Sequence, residues 1–132
     1  MEAGAVGIVV VSHSGLLATG LCELARQVAG DVPLVACGGG PTGDLGTDPD
    51  RIAGAVAEAD AGSGVVVLAD LGSAVLSVRA VIASGDVDPS RTRLADAPLV
   101  EGTVAAAVVA STGASLEETA LAAEEAWDVR KL

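Results

Sequence analysis

The sequence predicts an α/β fold, a three-layer sandwich in which helices cover both faces of a mostly parallel sheet of four to five strands. Short runs of Val, Ile and Leu alternate with longer segments of helical periodicity, and this alternation is typical of parallel strands joined by helices. The composition agrees, because a chain with one Trp and no Phe or Tyr must build its core from aliphatic side chains. The length of 132 residues fits one ordinary domain, 1–132.

The first half of the chain predicts two strands, each followed by a helix. The first helix carries one apolar face, made of Leu17, Leu21, Leu24, Ala25 and Val28. The second helix begins at Asp48 and Pro49, because Asp is a good N-cap and Pro fits the first helical position. The predicted elements are a strand at 6–11, a helix at 15–29, a strand at 33–37, a Gly-rich loop at 38–47 and a helix at 49–60.

The second half repeats this alternation. Ser73 is the predicted N-cap of the third helix, and Ser115 with Glu118 forms a capping-box pattern before the last one. Trp127 is an apolar anchor, either for that last helix or for a subunit interface. The predicted elements are a strand at 64–69, a helix through residue 82, a polar connection at 85–91, a strand at 93–95, and helices at 101–110 and 116–127.

Charge narrows the classes of partner. The formal net charge is −11, which argues against nucleic acid and against an anionic membrane surface, since both require Lys and Arg. Neutral metabolites or proteins with a basic face are the expected partners.

Cys22 and Cys37 form no CxxC pair and are expected in the core. With no basic signal-peptide start and no apolar run long enough to span a bilayer, the cytoplasm is the expected compartment.

The single histidine, His13, lies where an open α/β sheet places its chemistry. It ends the first strand, and Asp70 ends the third. If the strand order reverses beside the first strand, the two side chains face each other across the crevice at the carboxyl edge of the sheet. A carboxylate that accepts one imidazole N–H leaves the other ring nitrogen free as a nucleophile. His13 and Asp70 are therefore the candidate catalytic residues.

The turns beside this pair supply the remaining parts of a phosphate site. Hydroxyls and backbone N–H groups at helix N-termini can hold phosphate oxygens. The candidate phosphate-binding residues are Ser12, Ser14, Gly15, Gly72 and Ser73. The competing interpretation is that His13 is an ordinary polar residue at a strand end.

Two further segments carry open interpretations. The loop 38–47 either closes over a ligand or is a mobile surface loop. The stretch 96–102 is a second wall of the site, a dimer contact or a plain strand–helix connection.

No Walker A motif, G-x-S-x-G elbow or metal-ligand spacing occurs, although His13, Cys37 and Asp44 could be brought together. No cofactor or metal is expected.

Four short motifs occur in order and at suitable spacing: VSHS at 11–14, LGT at 45–47, DLGSA at 70–74 and DAPLVEG at 96–102. Together they resemble the phosphocarrier subunits of the phosphoenolpyruvate-dependent dihydroxyacetone kinases. The resemblance extends from about residue 6 to residue 126. It implies a fold similar to the mannose-type enzyme IIA domains of the sugar phosphotransferase system.

The resemblance also implies a function. His13 would take a phosphoryl group from the phosphohistidine of the carrier protein HPr and pass it to ADP bound in the nucleotide-binding subunit of the kinase. Asp70 would orient His13, and the turn of Gly72 and Ser73 would supply phosphate-binding amides. The domain would be a homodimer. Some relatives carry further phosphotransferase domains, so a chain ending at Leu132 is expected to act as a separate carrier.

Three alternatives remain open at this point. A mannose-type enzyme IIA would direct the same chemistry to a sugar permease. A non-catalytic regulator that binds a small anion or a protein would carry no covalent phosphate on His13. A small metal-independent hydrolase would use His13 as a base and would turn over substrate alone.

Overall fold

The structure, a computed structural model, describes residues 3–132. Within this range the chain forms four strands, five α-helices and one short 3-10 helix. In chain order these are β1 (Gly7–Ser12), α1 (Gly15–Ala29), β2 (Leu34–Gly38), α2 (Pro49–Ala59), β3 (Val65–Ala69), α3 (Gly72–Ser84), β4 (Thr92–Leu94), α4 (Leu99–Ala110), α5 (Leu116–Glu125) and the 3-10 helix Ala126–Asp128. Strand and helix alternate as predicted, with boundaries displaced by one or two residues.

Among the described residues, the strands form one four-stranded sheet of order β2-β1-β3-β4, and every neighbouring pair is parallel. The chain passes from β1 to β2 on one side and then crosses to β3 on the other side of β1. This reversal opens the predicted crevice between the carboxyl ends of β1 and β3. The α/β fold with a parallel sheet is confirmed.

Two hydrophobic clusters lie on opposite faces of the sheet, so the molecule has three layers. Successive residues of β1 alternate between them, with Ile8 and Val10 facing one cluster and Val9 and Val11 facing the other. Helices α1, α4 and α5 cover the first face, and helices α2 and α3 cover the second. Most helix residues in these clusters are alanines, which allow the helices to lie close to the strands.

The predicted N-cap residues are confirmed for two helices, α2 and α5, and the N-cap predicted for α3 is wrong. The Asp48 side chain caps α2, and Ser115 with Glu118 forms the complete capping box of α5. Ser73 does not cap α3, because the helix already begins at Gly72, with Leu71 at the N-cap position. The Ser73 hydroxyl instead contacts His13.

The apolar face predicted for α1 is only partly buried. Leu21 and Ala25 lie in the core, but Leu17, Leu24 and Val28 are about half exposed. The remaining buried positions hold the small residues Ala18, Cys22 and Ala29. Helix α1 packs against both β2 and α4, and a close approach to two neighbours favours small side chains at the contact. The larger apolar residues therefore lie at the margin of the core.

Across residues 3–132, the structure contains no helix with the length and apolar character needed to cross a membrane.

Candidate active site

Three loops meet at the carboxyl edge of the sheet. The first turn follows β1 and carries His13, the second follows β3 and carries Asp70, and the third loop follows β2. The Asp70 N–H donates to the Val11 carbonyl at 3.1 Å, which extends the pairing of β1 and β3 by one residue. The two turns are therefore held in register by the sheet itself.

The carboxylate of Asp70 accepts four hydrogen bonds, two on each oxygen. Oδ1 lies 2.9 Å from Nδ1 of the His13 ring and accepts the Leu71 N–H at 2.8 Å. Oδ2 accepts the Ser12 hydroxyl at 2.8 Å and the His13 N–H at 3.0 Å. All of its favourable acceptor positions are thus used by groups of the two turns. The carboxylate is fixed in place, and it fixes both the backbone and the ring of His13.

These hydrogen bonds also set the charge of Asp70. Partial burial of the carboxyl raises its pKa, but the hydrogen bonds from His13, Ser12 and Leu71 together outweigh burial. The pKa of Asp70 therefore lies below its ordinary value, and the group is an anion at neutral pH. An anion at Nδ1 stabilises any positive charge that develops on the imidazole.

The tautomer of His13 follows from this contact. Because the ionised Asp70 can only accept, Nδ1 carries a proton, and in the neutral imidazole the lone pair is therefore on Nε2. Nε2 lies 2.6 Å from the Ser73 hydroxyl, which donates to it. The His13 side chain is 26% exposed. The structure thus leaves Nδ1 on the carboxylate and Nε2 on the side of the ring that contacts Ser73.

The N-terminus of α3 lies beside Nε2 of His13. Leu71 provides no side-chain cap, and the first turn of α3 holds no acidic residue. The first N–H groups of an uncapped helix, here those of Gly72 and Ser73, have no partner inside the helix and favour an anion. Because the Ser73 hydroxyl contacts Nε2, the start of α3 lies beside that ring nitrogen.

The structure divides the five predicted phosphate-binding residues into two groups. Gly72 and Ser73 lie at the start of α3, with Ser73 in contact with Nε2. The buried Ser12 hydroxyl donates to Asp70 and accepts from the Ser14 N–H. The Ser14 hydroxyl caps α1 by accepting the Leu17 N–H, and Gly15 opens that helix against β2. In this arrangement Ser12 and Ser14 organise the turn that carries His13.

The loop after β2 is tied to the His13 turn through the backbone. The Gly46 N–H donates to the His13 carbonyl at 2.9 Å, and the Gly39 N–H donates to the Ser12 carbonyl at 3.3 Å. Arg51 on α2 donates to the carbonyls of Gly38 and Gly40. The loop therefore packs along the site. Arg51 was missed by sequence reasoning, since nothing in the local pattern distinguishes it from a surface arginine.

Gly38 is required where the β2 loop passes the His13 turn. A Cβ atom at this position would lie 2.6 Å from the Ser14 carbonyl oxygen and 2.7 Å from the Gly15 Cα. Both neighbours are backbone atoms of the site, so they cannot move aside without shifting His13. Only glycine allows this close approach.

A cleft of about 590 Å³ adjoins the site, and Asp70 is one of the residues that line it. Its walls are the start of α3, including Leu71 and Arg79, and the segment 94–99 after β4. Trp127 also lines the cleft and donates its indole N–H to the Asp96 carbonyl at 3.0 Å. The stretch that contains Asp96 is thus a wall beside the site, which was one of its predicted interpretations.

Cys22 and Cys37 are both buried, as predicted for core residues. Burial raises the pKa of each thiol, so neither is a ready nucleophile. Within residues 3–132, no three His, Cys, Asp or Glu side chains are arranged to hold a metal ion.

The sequence also matches a known protein family. The family model EIIA-man, described as the PTS system fructose IIA component, matches residues 7–120. The chain belongs to the EIIA-man family. The α/β structure, with a four-stranded parallel sheet and five helices among the described residues, is consistent with this assignment.

Curated EIIA-man relatives carry a more specific name. A protein of Pantoea ananatis, named as the phosphoryl donor subunit DhaM of PEP-dependent dihydroxyacetone kinase, is 39% identical over 132 residues. The Lactococcus lactis protein named as the phosphotransferase subunit DhaM of PTS-dependent dihydroxyacetone kinase is 36% identical over 111 residues. These matches cover 92% and 84% of this chain. They cover 28% of the Pantoea protein and 87% of the Lactococcus protein.

Solved structures agree with the EIIA-man fold. The crystal structure of EF1359, a protein of unknown function, gives a TM-score of 0.82 at 34% identity and covers 92% of this chain and 94% of that chain. A sigma-54 interaction domain protein from Enterococcus faecalis gives a TM-score of 0.73, covering 96% of this chain and 93% of that chain. At 18% identity, the second likeness concerns the fold alone.

Proposed function

We propose that this chain is a phosphohistidine carrier for a dihydroxyacetone kinase. It takes a phosphoryl group from HPr on His13 and passes it to ADP in the nucleotide-binding subunit of the kinase, in the cytoplasm. The observation that carries the proposal is the contact between His13 and Asp70, which engages Nδ1 and leaves Nε2 beside Ser73. The names of the DhaM relatives support the choice of kinase.

The first step is an in-line displacement at phosphorus. The Nε2 lone pair forms a bond to phosphorus while the bond from phosphorus to the donor's histidine nitrogen breaks, and the electron pair returns to that nitrogen. Nδ1 keeps its proton, so the His13 ring gains positive charge, which Asp70 stabilises at 2.9 Å. The Ser73 hydroxyl turns from Nε2 to a phosphate oxygen, beside the N–H groups that open α3.

The second step reverses the roles. A terminal phosphate oxygen of ADP attacks the phosphorus, the bond between phosphorus and Nε2 breaks, and ATP forms in the partner. No water needs activation, so the site needs no general base besides the nucleophile. Positioning and charge stabilisation provide most of the catalysis in such transfers. The fixed carboxylate and the uncapped helix N-terminus supply both.

We further propose that the chain acts as a homodimer. Apolar side chains along α1 and α4 are exposed in the single chain, and they include Leu24, Val28 and Val108. Helices α1 and α4 pack together on one face of the sheet, so these side chains lie on one side of the molecule. A second copy that covered this side would bury them.

A second candidate function is the enzyme IIA of a sugar phosphotransferase system, since the matching family is described by its fructose component. The first step would be the same. The phosphoryl group would then pass to a sugar permease component instead of ADP. The two candidates differ only in the protein that discharges His13.

The deciding experiment is intact-mass spectrometry at alkaline pH, where phosphohistidine survives. The chain is incubated with phosphoenolpyruvate, enzyme I and HPr, and then with ADP and the nucleotide-binding kinase subunit. We expect a gain of one phosphate that is lost in acid, is absent in His13→Ala and is discharged by the kinase subunit. Circular dichroism should show that His13→Ala is folded.

Other outcomes identify the alternatives. A phosphate that is stable to the kinase subunit but discharged by a sugar permease component supports the sugar pathway. Absence of any phosphate, with a control carrier loaded in parallel, rejects the carrier function and leaves an anion-binding regulator. Turnover of a phosphoester by the isolated chain would identify a hydrolase.

A further inference from the structure

The hydroxyl of Thr47 connects the loop after β2 to helix α3. Thr47 Oγ1 lies 2.8 Å from Oγ of Ser77, which is in the second turn of α3. The two residues are 30 positions apart in the sequence, so the contact exists only in the folded chain. The carrier chemistry gives Thr47 no role, although it belongs to the LGT motif at 45–47.

Thr47 is the donor in this contact. The Ser77 hydroxyl donates to the Ser73 carbonyl at 3.1 Å, and a carbonyl can only accept. Because a hydroxyl has one proton, the Ser77 oxygen is left as the acceptor of the bond from Thr47. The Ser73 hydroxyl lies 2.6 Å from Nε2 of His13. The hydrogen bonds therefore lead from Thr47 through Ser77 to the residue that contacts the imidazole.

Three consecutive residues of the loop attach to three different parts of the structure. Gly46 donates its N–H to the His13 carbonyl at 2.9 Å, and Asp48 caps α2. Thr47, between them, donates to Ser77 on α3. Since consecutive Cα atoms lie about 3.8 Å apart, a bond from Thr47 to α3 also limits the distance between that helix and the His13 turn.

The start of α3 has no side-chain cap of its own, because Leu71 at the N-cap position makes no such bond. The helix rests on the sheet through the apolar side chains of Ala74, Val78 and Val81. Apolar packing is non-directional, whereas a hydrogen bond depends on distance and angle. A displacement of about 1 Å at a reacting site can lower the rate about a hundredfold. The bond from Thr47 is therefore placed to influence the chemistry.

We propose that Thr47 is a positioning residue for phosphoryl transfer, whose bond to α3 holds the Ser73 hydroxyl against Nε2 of His13. This inference rests on the proposed carrier function and adds a residue to it. The ring nitrogens of His13 contact Asp70 and Ser73, so Thr47 acts only through α3.

The first experiment measures single-turnover transfer from phosphorylated HPr to this chain over a range of HPr concentrations. Thr47→Val keeps the branched shape of the side chain and removes the donor, and Ser77→Ala removes the acceptor. We expect each variant to lower the maximal rate about tenfold with an unchanged half-saturating concentration, because Ser73 shifts while the docking surface does not. Thr47→Ser keeps the hydroxyl and should restore most of the rate.

Thr42→Val is the matched control, because the exposed Thr42 lies in the same loop and its hydroxyl donates to Asp44 of that loop. It should transfer at the wild-type rate. The double variant of Thr47→Val with Ser77→Ala should be no slower than either single variant, since both changes remove the same hydrogen bond. Urea unfolding at the assay temperature should show that every variant is folded.

The second experiment does not depend on phosphoryl transfer. His13 is the single histidine of the chain, so isotopic labelling of histidine nitrogen gives one pair of ring signals in nuclear magnetic resonance. At a pH where the ring is neutral, the Nε2 signal reports the bond from Ser73. We expect Thr47→Val and Ser77→Ala to shift this signal in the same direction, while Thr42→Val leaves it in place.

The outcomes separate the two proposals. A wild-type maximal rate in Thr47→Val, or a rate loss that adds to that of Ser77→Ala, overturns the positioning role and leaves the carrier function intact. A change confined to the half-saturating concentration also overturns it, because that result places Thr47 in the docking surface. An Nε2 signal that Thr47→Val does not move overturns the inference alone. A wild-type chain that HPr never phosphorylates overturns the carrier function and this inference with it.

Discussion

Asp70 accepts two hydrogen bonds from His13, one from ring Nδ1 at 2.9 Å and one from the backbone N–H at 3.0 Å. The same carboxylate therefore sets the position of the histidine and the direction of its ring. It also determines the tautomer of the neutral ring, because an anion that accepts from Nδ1 leaves Nε2 with the lone pair.

Asp70→Asn should slow phosphoryl transfer more than it weakens partner binding. The amide keeps the size of the side chain but removes the negative charge that stabilises the phosphorylated ring. We expect the single-turnover rate to fall by about a hundredfold, which corresponds to roughly 3 kcal/mol of transition-state stabilisation. Rapid-quench kinetics with saturating phosphorylated HPr provides the measurement. An unchanged rate would remove Asp70 from the mechanism.

Gly38→Ala should damage both stability and transfer. The added Cβ would meet the backbone of Ser14 and Gly15 at 2.6 and 2.7 Å, which forces the His13 turn away from β2. We expect the free energy of unfolding to fall by about 1–3 kcal/mol. Gly20→Ala is the control, because a Cβ at Gly20 in α1 meets no atom within 4 Å. Urea unfolding should show the control to be at least as stable as the wild type.

Asp60→Asn should reduce stability in a manner that depends on pH. The hydrogen bonds from Arg91 hold the pKa of Asp60 below its ordinary value, and they outweigh the effect of burial. A lowered folded-state pKa stabilises the fold above the unfolded value of 3.8, and this stabilisation disappears as the pH falls through the folded value. Because Arg91 is partly exposed, we expect a loss of only about 1 kcal/mol at pH 7.

The measurement for Asp60→Asn is urea unfolding of both proteins from pH 7 downward. The difference in unfolding free energy should be constant above about pH 5 and should shrink below the unfolded pKa. A difference that stays constant to the lowest pH would mean that the ion pair does not contribute.

Thr103→Val should raise the stability of the chain. Thr103 is fully buried in α4, and its hydroxyl has no hydrogen-bond partner among residues 3–132. Valine has nearly the same shape without the unpaired polar group, so we expect a gain of about 1 kcal/mol. Thr119→Val is the matched comparison, because the buried Thr119 hydroxyl donates to the Ser115 carbonyl at 2.8 Å. Thermal unfolding should show opposite signs for the two variants.

The fold was predictable because its signals are local. The aliphatic runs of β1 and β3, the helical spacing between them and the capping residues Asp48 and Ser115 all act within a few positions of the chain. The chirality of parallel crossovers then restricts the possible strand orders to very few. For this reason the placement of His13 beside Asp70 could also be anticipated.

The finer arrangement of the site was not predictable. Ser73 was expected to cap a helix and to bind phosphate, but its direct contact with Nε2 of a histidine 60 positions earlier in the chain was not anticipated. Arg51 ties the β2 loop through carbonyls of Gly38 and Gly40, which any donor could have bound. Such contacts depend on angles and distances between elements, and a pattern along the chain does not contain them.

By itself, the sequence determined the alternation of strands and helices, and it placed His13 and Asp70 at the ends of the first and third strands. These follow from hydrophobic periodicity and capping, which act over short distances along the chain. Only the tertiary structure decided the order of the sheet, which imidazole nitrogen lies on Asp70 and which hydroxyl contacts the other nitrogen. These properties arise from loops separated by tens of residues, whose side chains are brought together only when the sheet and its helices pack.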